Sequence, residues 1–186
     1  MRQRTLGVIL IAIGLVGVIG TFLALVARPG RYFVAPGAWA PLGGVRRGPT
    51  CDPPVLPGLT VDVVLSDMGG MMSGARKMSV AASPSSVPAG RVSFRVWNAG
   101  MMVHELVILP LQPGGVGTRT VGSDGRVSEA GSLGEASRTC GEGAGDGIAP
   151  GAAGWVTLGL DPGRYELICN LPGHYAMAMF TGLEVR

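Results

Sequence analysis

The stretch CNLPGHYAMAMF, Cys169 to Phe180, places a cysteine, a histidine and a methionine in one turn-rich segment, with four residues between successive members: Cys169, His174 and Met179. Thiolate, imidazole and thioether are donors for soft and borderline metals, copper among them. The chain holds only one other histidine, His104, which opens the apolar run HELVILP (104–110). If that run and RYELICN (164–170) are neighbouring strands, His104 meets the other three. The candidate ligand set is then His104, Cys169, His174 and Met179. Two imidazoles, one thiolate and a weak thioether are the donors of a trigonal His₂Cys centre with a long axial Met, the arrangement of electron-transfer copper. Met177 is the rival for the axial place, and is read here as lining the apolar surface.

Other metals fit the composition less well. Structural zinc takes four Cys/His ligands and has little use for a thioether. Iron–sulfur clusters need about four cysteines, and this chain has three. No CxxCH run offers haem attachment. Position 173 is glycine, so the loop lacks the second cysteine of a dinuclear copper centre. One mononuclear ion uses both histidines. No nucleophile–base pair is visible, so a carrier is expected rather than an enzyme.

These ligands need a frame. Short runs rich in β-branched and apolar residues occur at 60–66 (TVDVVLS), 77–83 (KMSVAAS), 91–98 (RVSFRVWN), 104–110, 154–160 (GWVTLGL), 164–170 and 181–186 (TGLEVR). In RVSFRVWN, Val92, Phe94 and Val96 alternate with Ser93, Arg95 and Trp97. Turn signals such as Pro88-Ala89-Gly90, Asn98-Ala99-Gly100 and Asp161-Pro162-Gly163 separate the runs. The pattern predicts an all-β domain, an antiparallel Greek-key β-sandwich, over 60–186. The Gly-rich segment 112–154 interrupts it. It is read as a long loop with a short hairpin around Asp124-Gly125, and loops of this length are usually functional or disordered.

The N-terminal part is different. Leu6 to Ala27 carries no charge; as a helix it would span roughly 33 Å, enough to cross a bilayer. It is longer than the apolar core of a cleaved signal peptide, and is read as an uncleaved transmembrane anchor at 6–27, after a cytoplasmic tail at 1–5. A Pro/Gly-rich stalk follows at 28–59. Residues 1–50 hold six arginines and no acidic residue, whereas residues 51–186 hold nine Lys/Arg and twelve Asp/Glu. The body therefore lacks the basic surface of a nucleic-acid binder; nucleic acid is not an expected partner, and the membrane is.

At YELICNLPGHYAMAM and WNAGMMVHELVIL the chain resembles the cupredoxins, the blue-copper proteins, over roughly Thr60–Arg186. The loop spacing is similar to that of the rusticyanin, auracyanin and sulfocyanin branch. The resemblance implies one type 1 copper ion, with His104, Cys169 and His174 as equatorial ligands and Met179 axial. It also implies that His174 reaches the surface and passes the electron. Glu105 departs from the family pattern, because several cupredoxin families place a small hydrogen-bonding residue after the first histidine. Met101, Met102, Leu171, Pro172, Tyr175 and Met177 form the expected docking patch for redox protein partners, such as a respiratory-chain donor or a terminal oxidase. An alternative role, extracytoplasmic copper storage or delivery, would use Met68, Met71 and Met72, since thioethers bind Cu(I). Cys51 and Cys140 are left over and are read as a disulfide, which with copper places the body on the extracytoplasmic side of the cell membrane.

Overall fold

The computed structural model describes residues 51–69 and 77–186. The expected tail and anchor, residues 28–50 of the expected stalk, and Met71 and Met72 lie outside the described residues. Among the described residues, no helix is long and apolar enough to cross a membrane.

Nine strands of the described chain form two sheets. The first has the order β2 (Lys77–Ser83), β1 (Leu59–Gly69), β4 (Gly90–Asn98), β7 (Ala153–Leu160). The second has the order β3 (Ser86–Val87), β9 (Phe180–Val185), β8 (Gly163–Ile168), β5 (Leu106–Pro110), β6 (Gly134–Ala136). The expected sandwich is present, but it is mixed rather than antiparallel: β1 runs parallel to β4, and β3 to β9. The reason is the chain path. After the β1–β2 hairpin the backbone visits the second sheet as β3 and returns beside β1 as β4, and such a crossover permits a parallel pair.

The alternation seen in the sequence sets the inner faces. Val61, Val63 and Leu65 of β1 and Val92, Phe94 and Val96 of β4 are buried against Leu106, Ile108, Leu167, Leu183 and Val185 of the second sheet. The second sheet is also buried on its outer face. There Val107, Leu109 and Ile168 pack with Val127 and Tyr175. This double burial explains why LVILP does not alternate: Leu106 to Leu109 are all fully buried.

Val127 belongs to the long loop, so the loop is the cover of the second sheet's outer face. It contributes β6 as an edge strand, and the expected hairpin is a tight turn bridged at Val121 and Val127. The end of the expected stalk is held to the body: Cys51 bonds Cys140, with Cα atoms 5.5 Å apart, and Ser93 donates its hydroxyl to the Pro57 carbonyl at 2.5 Å. The disulfide read from the sequence is thus formed, and it joins residue 51 to the covering loop.

Candidate metal centre

The β5–β8 pairing places the site. Val107 lies opposite Ile168 in an antiparallel register, so the residues just before β5 and just after β8 share one end of the sandwich. His104 precedes β5 and Cys169 follows β8. From Cys169 the chain turns back: the His174 N–H donates to the Leu171 carbonyl at 3.0 Å. Gly173, at φ +82°, takes the left-handed conformation that this turn needs. A 3₁₀ turn over Tyr175–Met177 follows. Met179 then returns beside the start: its N–H donates to the His174 carbonyl at 3.2 Å, and its carbonyl accepts the Cys169 N–H at 3.0 Å.

Three donor atoms converge. Cys169 Sγ lies 3.3 Å from His174 Nδ1 and 3.9 Å from His104 Nδ1, and the two Nδ1 atoms are 3.3 Å apart. A central ion held at about 2.0–2.3 Å by three coplanar donors gives edges of roughly 3.5–4 Å. The observed triangle is close to that size. All three residues are buried, and Met179 is fully buried beside them. The donor set of His104, Cys169, His174 and Met179 fits one type 1 copper ion.

The electrostatics suit a cation. Burial, then the neighbouring His174, push the His104 pKa down to about 4. Burial also lowers that of His174. Both imidazoles are therefore neutral at pH 7, the ligating form. Burial pushes the Cys169 thiol up to about 12, so without a cation the pocket holds a thiol, and a bound metal must displace its proton. The Glu105 N–H donates to Cys169 Sγ at 3.4 Å. The departure noted at this position therefore keeps its backbone contact to sulfur. The Glu105 carboxyl is buried, its pKa is raised to about 7 mainly by that burial, and Arg126 lies 3.8 Å away.

The covering loop holds the ligand loop in place. Ile148 exchanges two backbone hydrogen bonds with His104, at 2.7 and 3.2 Å. Asn170, next to Cys169, accepts the Val127 N–H at 2.8 Å and donates to the Val127 carbonyl at 3.0 Å. The Gly173 N–H donates to the Gly125 carbonyl at 2.8 Å. A Cβ on Gly125 would come within 2.9 Å of that Gly173 nitrogen, so only glycine allows the approach.

Below the ligand loop lies a buried ion pair, Arg119 Nε to Glu166 Oε2 at 2.6 Å. Glu166 also accepts the Tyr175 hydroxyl at 2.9 Å and the Gly117 N–H at 2.7 Å. This corrects one expected member of the docking patch. Tyr175 is only 3% exposed, and its ring packs on Phe180 with centroids 4.8 Å apart, so it anchors the loop from beneath. Met101, Met102 and Pro172 are exposed, while Leu171 and Met177 are half-buried and pack against the core. His174 is buried, at 6% exposed.

No family model matches the sequence, and neither does any curated protein. Solved structures similar in fold include rusticyanin from Thiobacillus ferrooxidans, at 21% identity and TM-score 0.45, covering 69% of this chain and 79% of that one. A methionine-to-glutamine mutant of rusticyanin gives 23% identity and TM-score 0.46, covering 69% and 79%. Reduced auracyanin from the photosynthetic bacterium Roseiflexus castenholzii gives 16% and 0.44, covering 69% and 99%.

The Arg119–Glu166 pair yields a direct prediction. Arg119→Ala leaves the Glu166 carboxylate buried without its cation and should cost about 3–5 kcal/mol of stability in urea unfolding of the metal-free protein. Arg119→Met combined with Glu166→Gln should cost clearly less, because no charge is stranded.

Proposed function

We propose that this chain is a cupredoxin: a membrane-anchored blue-copper protein that carries single electrons on one copper ion held by His104, Cys169, His174 and Met179. The observation that carries the reading is the buried triangle of Cys169 Sγ and the two Nδ1 atoms, all within 4.8 Å of one another. When bound, copper supplies the Cu(I)/Cu(II) couple. The chain's own residues supply the rest. Backbone bonds from Ile148 and Gly125 and the side chain of Asn170 hold the ligands in a fixed array, so that the donors move little when the charge changes. Burial excludes water and keeps both imidazoles unprotonated and ready to ligate.

The same proposal extends to location and partners. The uncharged segment 6–27 acts as a single-span anchor, and the Cys51–Cys140 bond supports an oxidising compartment outside the cytoplasmic membrane. His174, which shares its loop with half-buried Leu171 and Met177 and exposed Pro172, is the exit for the electron. Redox proteins, such as a respiratory-chain donor or a terminal oxidase, are the partners of that surface.

The test is a visible and EPR spectrum of the protein after addition of Cu(II). An intense blue band with narrow copper hyperfine splitting, abolished in Cys169→Ser, is expected. A colourless protein that takes up only Cu(I) would overturn the reading. Proton release provides a second check. At pH 8 both imidazoles are already neutral and the thiol is protonated, so Cu(II) uptake should release about one proton. Calorimetry in buffers of different ionisation enthalpy measures this, and release of two or more would contradict these protonation states.

A further inference from the structure

We propose that Asp67 tunes the metal centre: its carboxylate stands near the buried Nε2 edge of His104, across the space left by Gly100, and its charge favours the more highly charged copper ion. The proposal rests on the copper reading above and adds a residue to it from outside the ligand loop.

His104 turns Nδ1 toward Cys169 Sγ and His174 Nδ1. An ion bound there leaves the ring proton on Nε2. That nitrogen is fully buried and has no hydrogen-bond partner among the described residues. A buried donor without an acceptor is costly, and a ligating imidazole normally gives its second N–H to a carboxylate, a carbonyl or a water.

The nearby anion is Asp67, near the end of β1, which makes no direct hydrogen bond to that nitrogen. A Cβ built on Gly100 would lie 2.8 Å from His104 Nε2 and 2.5 Å from Asp67 Oδ1, so one absent side chain is all that separates the two groups. The carboxylate is fixed in this direction. Its Oδ1 accepts the Met101 N–H at 2.7 Å and its Oδ2 accepts the Met102 N–H at 3.1 Å. Asn98 holds the same turn, accepting the Gly100 N–H at 2.9 Å and donating to the Met102 carbonyl at 2.8 Å. The negative charge of Asp67 acts on both ligand rings, opposing the effect of burial. An anion at this distance stabilises Cu(II) more than Cu(I) and so lowers the reduction potential.

The experiment compares the potentials of the copper-loaded wild-type, Asp67→Asn, Asp67→Ser and Asp62→Asn proteins. Asp67→Asn keeps an acceptor for the backbone amides but loses the charge. It should weaken Cu(II) binding about tenfold relative to Cu(I), a rise of about 59 mV for one electron. Asp67→Ser also removes the charge while keeping a hydroxyl acceptor, and should likewise raise the potential, which decides the matter if Asp67→Asn fails to fold. Asp62→Asn removes a like charge from the exposed face of the same strand, where Arg95 pairs with it at 2.6 Å; its potential should stay at the wild-type value. A blue Asp67→Asn protein with the wild-type potential, or one shifted no more than Asp62→Asn, overturns the role of Asp67 alone. Absence of the blue band in the wild-type protein defeats the copper reading itself.

Discussion

The structure depends on keeping three lone-pair donors together in a dry pocket. Cys169 Sγ and the two Nδ1 atoms stand 3.3–3.9 Å apart. Burial drives the thiol up and the imidazoles down in pKa, with His174 adding to the shift at His104, so the pocket is poised for a cation and unfavourable to a proton on either ring. Such an array does not form by side-chain preference. It is imposed by the backbone on either side, and much of the rest of the domain can be understood as that imposition.

Two constraints meet there. The inner core, with Phe94, Leu106 and Leu167 at its centre, holds the two sheets together and sets the β5–β8 register. The outer cluster of Val107, Leu109, Ile168 and Tyr175 requires a cover, and the segment between β5 and β7 provides it. Covering that face brings Ile148 to His104, Val127 to Asn170 and Gly125 to Gly173. The loop's length thus follows from the sheet's second apolar face, and its glycines allow backbone to approach backbone at the ligand loop. The ion pair of Arg119 and Glu166 lies within this layer, and hydrogen bonds from Tyr175 and Gly117 to Glu166, and from Arg119 to Pro110, complete it.

How much was legible in the sequence follows from the range of each interaction. The ligand quartet was readable because three members share one loop and the fourth lies just before a strand, and donor types are a property of single residues. The main strands were readable from β-branched runs between turns; β3 and β6, two and three residues long, carry no such pattern. The parallel pairings were not readable, since they depend on where the chain crosses between sheets. Tyr175 looked like a surface residue beside His174, and only the buried carboxylate of Glu166 beneath it turns it inward. Glu166 gave a faint signal, an acidic residue inside the apolar run YELI. Asp67 and Gly100 gave none, because their closeness to His104 arises only when β1 and the 98–104 turn are brought together.

The central claim is that one rigid donor set serves both oxidation states of a single copper ion. Copper K-edge X-ray absorption on the oxidised and the reduced protein tests it most directly. The account predicts one short sulfur and two imidazole nitrogens around copper in both states, with little change in distance between them. A reduced form that has lost the imidazoles and gained several thioether sulfurs would contradict it, and would indicate a protein that handles copper rather than electrons.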